Sequence, residues 1–231
     1  MANAESRIIA ALRKATMEIK IELPDVKLCV VEANSVHVAR ADAALAQLMD
    51  SVCERKQREF TVETLAEAEA TRAVRAMFRA WAVDPSKYRP SSEALLRRVV
   101  QGKGLYRVLN VVDIGNIGSI ETGWPYGCYD RSRLYPPIVF REGATSETYE
   151  GIGKRTWHLA GRPVLADADG PFGSPISDST RSMITESATS VLVVIYVPLS
   201  APNAAVDVAV ARLTKRLVQF AGAAATRSAI C

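Results

Sequence analysis

Residues 191–197, VLVVIYV, constrain the fold of this chain more than any other stretch. Both faces of an extended segment with this sequence are apolar, so both must be covered. The run is therefore expected as a fully buried central strand. Partners for it are at hand in short β-rich runs at 138–140, 156–159 and 164–166, separated by Gly, Pro and Asp in the rhythm of a sheet or sandwich. Near the start, residues 17–23 (MEIKIEL) alternate apolar and polar. Pro24-Asp25 turns the chain, and residues 26–31 (VKLCVV) read as a second strand, expected to pair with the first as a hairpin.

Helical periodicity fills much of the rest. A short opening helix is expected at 5–14. Ala41, Leu45, Leu48, Met49 and Val52 mark one apolar face, and Val62, Leu65, Ala66, Val74, Met77, Phe78 and Trp81 mark another, with Thr61 and Thr64 as start chemistry. Ser91 or Ser92 is expected to cap a further helix, ALLRRVV. Pro202 opens an amphipathic closing helix through Val206, Ala209, Leu213, Leu217 and Phe220, whose polar face carries Arg212, Lys215 and Arg216. The tail AAATRSAIC reads as frayed. His37 receives no role, and Gly151 and Gly153 (GIG) lack the Gly-Lys-Ser/Thr of a phosphate loop and read as a turn.

Between these helices lies the densest stretch, residues 108–135, VLNVVDIGNIGSIETGWPYGCYDRSRLY. It places Gly123, Trp124, Pro125, Tyr126, Gly127 and Tyr129 within seven positions, a composition that suits either a pocket or a compact turn assembly closing the core. Asp113, Asn116 and Asp130 sit in or beside apolar runs, where each needs a hydrogen-bonding partner. Arg97, Arg98, Lys103 and Arg107 precede it. They form either a phosphate- or carboxylate-binding cluster or, for the arginines, ion pairs with Glu93 or core-edge packing.

Composition narrows the class. With 231 residues and 48% hydrophobic content, one core suffices, so residues 1–231 read as a single domain. Its parts are a mainly helical 1–90, a pocket-bearing β-rich 91–200 and a closing helix and tail at 201–231. No apolar run is long enough to span a bilayer and no signal peptide is legible, which gives a cytoplasmic expectation and no membrane partner. Cys29, Cys53, Cys128 and Cys231 are scattered and only His37 and His158 are present, so neither a metal nor any other cofactor is expected. A net charge of +4 permits a polyanionic partner without requiring one.

No Gly-x-Ser-x-Gly, His-Glu-x-x-His or Rossmann fingerprint is present. Cys128 has no histidine near it in sequence to activate it. The stronger candidate lies at 170–188, GPFGSPISDSTRSMITESA, where Glu186 stands at the mouth of the apolar strand. A carboxylate there is either capped structurally or reads a ligand's hydroxyl or amine.

Asn110-Val-Val-Asp-Ile114, Asn116, Glu121-x-Gly-x-Pro125 and Tyr129-Asp130 together resemble the B3/4 domain of the bacterial phenylalanyl-tRNA synthetase β subunit. The likeness runs from about residue 92 to 198 and continues in Arg141 to Glu147, Phe172-Gly173, Asp178-Ser179-Thr180 and Glu186-Ser187-Ala188. It implies an α+β fold: a B3/4-type β-sandwich of unusual topology with N-terminal helices and a closing C-terminal helix. In that family the domain hydrolyses tyrosine wrongly attached to the phenylalanine tRNA, and a glutamate at the position of Glu186 reads the tyrosine hydroxyl. The carry-over makes Glu186, Asn116, Gly127, Gly173, Arg141 and Tyr126 the substrate-binding set. Gly127 stands where the family has a histidine, so the pocket differs and no catalytic side chain is assigned.

The implied function is an editing-type hydrolase acting in trans on mischarged aminoacyl-tRNA, and not a complete tRNA ligase. The alternatives are a non-catalytic protein that binds tRNA or a small amino-acid-like ligand, and a structural protein with a vestigial pocket. The expected partner is tRNA or aminoacyl-tRNA, with no DNA. The sequence does not set the oligomeric state, the amino acid or the tRNA.

Overall fold

A computed structural model describes residues 19–231 of the protein. The expected opening helix at 5–14 lies outside the described residues. In chain order the main elements are β1 (Ile19–Ile21), β2 (Val26–Asn34), α1 (Ala43–Glu59), α2 (Glu69–Ala80), α3 (Ser91–Arg98), α4 (Asn110–Thr122), β3 (Tyr126–Asp130) and β4 (Ile138–Glu142). There follow β5 (Thr148–Glu150), β6 (Thr156–His158), β7 (Pro163–Asp167), β8 (Gly170–Gly173), β9 (Ser190–Pro198), α5 (Asn203–Ala221) and β10 (Ala225–Ile230). The fold is α+β, as expected.

The apolar run is the central strand its sequence demands. β9 lies between β2 and β3 in an antiparallel sheet of order β10-β2-β9-β3, and residues 191–197 are wholly buried. A second sheet, β1-β4-β7-β8, covers one of its faces. Phe140 of β4 meets Tyr196 of β9 at 5.4 Å, and Phe172 of β8 meets Tyr129 of β3 edge-on at 5.0 Å. Helices α4 and α5 cover the other face. The β5–β6 hairpin adds a satellite cluster, with Tyr149, Leu159 and Val164 packed against Trp157.

Several expectations are corrected. The first two strands do not form a hairpin: β1 pairs in parallel with β4, while β2 pairs with β9 and β10 in the other sheet. Asp25 takes a positive φ of 61° between them, and Trp81 Nε1 donates to Pro24 O at 2.7 Å, which fixes the crossing. The second expected helix is broken. A 3-10 turn at Thr64–Glu67, held by reciprocal Thr61–Thr64 hydrogen bonds, ends at Ala68, whose extended backbone separates it from α2. Neither Ser91 nor Ser92 caps α3. Pro90 holds the cap position, and Ser91 N donates to Pro175 O instead. The tail is not frayed, because β10 pairs with β2 from Ala225↔Asn34 to Ile230↔Cys29.

The largest correction falls on residues 108–135, where a buried helix and a strand replace the turn assembly. The glycines of α4 are the reason it can lie where it does. A Cβ on Gly115 would stand 2.5 Å from Cys128 Sγ, and one on Gly118 would stand 2.8 Å from the Tyr126 ring, so only glycine lets the helix seat on β3. Asn110 secures its start. Its Oδ1 accepts from Val111 N and Ala39 N, and its Nδ2 donates to His37 O and Phe220 O. Gly123, with φ 76°, ends the helix in the left-handed conformation that favours glycine.

Candidate functional site

Two of the six expected site residues meet at one group. Gly127 of β3 and Gly173 of β8 face each other across the two sheets, and a Cβ on either would collide with the Tyr129 hydroxyl. At Gly127 this chain carries no side chain, and the Tyr129 phenol takes up the space a Cβ would need. That phenol is fully buried, so it needs partners. It donates to Asp178 Oδ1 at 2.8 Å, which spends its single proton. Tyr196 Oη, 3.1 Å away, must then donate to Tyr129 Oη. Ser174 N–H also donates to Asp178 Oδ1, at 3.2 Å.

Tyr196–Tyr129–Asp178 is thus a directed chain of hydrogen bonds ending on a carboxyl. Burial of that carboxyl disfavours its charge more than the hydrogen bonds from Tyr129 and Ser174 favour it, and Asp178 is pushed up from 3.8 to about 7. Burial also holds both phenols far above their ordinary range, so they stay protonated donors. Asp178 Oδ2 makes no hydrogen bond to any described residue, and Ile176, Ser177 and Asp178 form a half-buried loop. The loop is braced from below, where Tyr149 Oη and Ser174 Oγ both donate to Ser177 O. A carboxyl that changes charge near neutrality, with one oxygen tied and one untied, can accept a proton from water.

The other expected residues lie elsewhere. Arg141 on β4 forms a bidentate pair with Glu147 at 2.8 and 2.6 Å, and Glu147 also accepts from Ala144 N. This pair closes the β4–β5 loop. Tyr126 points to the opposite face of β3 and lines a cavity of about 510 Å³ with Trp124 between α4 and α5. Asn116 is half-buried in mid-α4, away from Gly127 and Gly173. Glu186 is exposed, on a turn closed by Ala188 N donating to Thr185 O. Glu186 thus lies on the surface before β9, and the acid hydrogen-bonded between the sheets at this end of the sandwich is the half-buried Asp178.

The arginine cluster is also resolved. Arg107 grips Asp50 at 2.7 and 2.8 Å, Arg98 lies over the Tyr106 ring, and Glu93 is held by Arg75 and Arg89 rather than by Arg97 or Arg98. Cys128 is half-buried against Val111 O, and desolvation pushes its thiol far above its ordinary value, so no thiolate is available to it.

A second polar node gathers on Glu121, the motif glutamate at the end of α4. Arg216 of α5 binds it through both nitrogens at 2.6 and 3.0 Å, and Arg55 of α1 adds a contact at 3.1 Å. Burial works against the charge on Glu121. The hydrogen bonds from Arg216 and the charges of Arg216, Arg212 and Arg55 outweigh it and hold the pKa below its ordinary value. Sequence reasoning assigned no role to Asp178, Tyr196 or the Glu121–Arg216 pair. The one signal for them was chemical, a hydroxyl within an otherwise apolar strand and acids beside buried runs.

A family model described as the B3/4 domain matches residues 73–221. The phenylalanine–tRNA ligase beta subunits of Neisseria gonorrhoeae and Neisseria meningitidis are each 26% identical over 103 residues, covering 40% of this chain and 13% of the relative. The chain therefore spans about an eighth of the length of these relatives. Among solved structures, an N-terminal fragment of the phenylalanyl-tRNA synthetase beta subunit from Pyrococcus horikoshii aligns over 87% of this chain and 51% of its own. Its identity is 15% and its TM-score 0.41.

Proposed function

Since the chain belongs to the B3/4 domain family, we propose that it is a tRNA-binding, editing-type hydrolase that removes an amino acid from mischarged tRNA in trans. The relatives at the sequence level are phenylalanine–tRNA ligase beta subunits, which makes an aminoacyl-tRNA the natural substrate class. The observation that carries the reading is the Tyr129–Asp178 pair, seated between Gly127 and Gly173 within the family-matched segment. Asp178 as carboxylate takes a proton from water as the water adds to the ester carbonyl. The ester C–O bond to the ribose then breaks, and the proton passes to the ribose oxygen as the free amino acid leaves. Tyr129 holds Asp178 in place and does not itself react. We read the whole chain as one such domain, because β2 and β10 share a sheet with β3 and β9.

One observation favours a second reading, a non-catalytic tRNA-binding module. Tyr129 and Tyr196 are wholly buried between the sheets, and Glu186 faces solvent. A single experiment separates the two: ester loss from a panel of mischarged aminoacyl-tRNAs with the wild-type protein and Asp178→Asn. The hydrolase reading expects a rate that rises with pH up to about 7, and a loss of about 10²–10⁴-fold in the variant. Binding without ester loss above background selects the second reading.

A further inference from the structure

A second concave feature of the surface lies apart from Asp178. A groove of about 870 Å³ runs between α1 and α5, and its charge is one-sided. Arg55, Lys56, Arg212, Lys215 and Arg216 line it against one carboxylate, Glu121. Glu121 and Glu59, the partner of Lys56, offset two of these five cations and leave three positive charges along the groove. The floor is apolar, from Leu48, Val52 and Phe220, and Gln47, Ser51 and Gln219 offer neutral donors along the walls.

The cations are not equivalent. Arg216, with 12% of its side chain exposed, is committed to Glu121, and Lys56 is committed to Glu59 at 2.8 Å. Arg55 shares Glu121 but is half exposed. Arg212 and Lys215 are exposed and make no hydrogen bond or ion pair to any described residue. Glu121 thus works as an anchor. It fixes the inner arginine and so the spacing of α4 against α5, while the outer cations remain free to meet a ligand. Solvated point charges along a groove with neutral donors suit phosphodiester oxygens, which accept from Lys, Arg and Gln alike.

We infer that the α1–α5 groove is the surface that receives the phosphate backbone of tRNA. This rests on the tRNA-binding reading above but concerns a surface separate from Tyr129 and Asp178. The test uses the full chain, labelled unacylated tRNA and a labelled oligouridylate, in anisotropy titrations at several salt concentrations. Arg212→Ala/Lys215→Ala is compared with a control pair outside the groove, Lys20→Ala/Lys154→Ala, and thermal melts confirm that both fold.

The groove variant is expected to bind tRNA roughly tenfold more weakly, with a log K against log salt slope shallower by roughly 1.5–2, while the control pair changes little. If the wild type binds tRNA and both variants bind alike, the groove assignment is overturned and the tRNA reading stands. If the wild type binds oligouridylate through Arg212 and Lys215 but does not bind tRNA, the groove holds phosphodiesters and the tRNA reading falls. Binding of neither probe at low salt overturns both.

Discussion

Asp178→Asn isolates the carboxyl that accepts from Tyr129 and Ser174. In the folded protein Asp178 titrates at about 7 against 3.8 in the open chain, so the folded state keeps a proton that the unfolded state has lost across that interval. The sign follows from linkage. The raised pKa contributes stability that is whole below pH 3.8 and drains away as the pH climbs toward 7, after which it levels off. Roughly three pH units at 1.36 kcal/mol each give about 4 kcal/mol in total, of which about 2–3 kcal/mol falls between pH 5 and 8.

Asparagine keeps an acceptor for Tyr129 and Ser174 but has no charge to lose. Urea unfolding of both proteins from pH 5 to 8 reads the difference, because contributions common to the two proteins cancel. The wild type is expected to lose about 2–3 kcal/mol relative to the variant over that range. Parallel curves would refute the buried-carboxyl argument, and with it the proton acceptor proposed for ester hydrolysis.

Two further substitutions probe the frame. Gly127→Ala places a methyl where the Tyr129 hydroxyl stands and should destabilise by about 2–3 kcal/mol; an unchanged melting temperature would mean the two sheets can part without cost. Glu121→Gln leaves Arg216 buried without its counter-charge and should cost about 2–4 kcal/mol at pH 7, measured by the same unfolding assay. Because the Glu121 pKa is held low, that deficit should shrink as the pH falls below 4.5, and a deficit constant into acid would show that the charge pair contributes nothing.

The sequence made the strong periodic elements legible. β4, β7, β9 and α5 lie where apolar spacing placed them, because their burial pattern is the pattern of their residues. α4 was hidden by its own glycines. Gly115 and Gly118 weaken helix propensity, and what overrides them is close packing on Cys128 and Tyr126, which no local rule encodes. β10 was hidden by its polarity: residues of an edge strand need not alternate when one side meets water. At the site, Gly127 and Gly173 came from family likeness alone. Asp178 could not be singled out, since its character depends on Tyr129 and Ser174, distant from it or neutral in pattern. Glu186 is exposed, because nearness in sequence to a buried strand does not bury the residues that precede it.

The pairing of β2 with β9 also bears on how the chain reaches this state. Asn34 and Ser190 are neighbours in the sheet yet stand 156 positions apart, and the Ser190 hydroxyl bonds Asn34 across that gap. On the ribosome, β2 therefore emerges long before its principal partner exists, with unpaired backbone groups along its edge and largely apolar side chains to shield. Loop closure of that length must precede the contacts that reward it, so folding should be slow for a domain of this size and dependent on local helices α1 and α2 forming early. During synthesis the vulnerable species is a waiting strand, and its protection by chaperones or by α1 sets how much protein survives to fold.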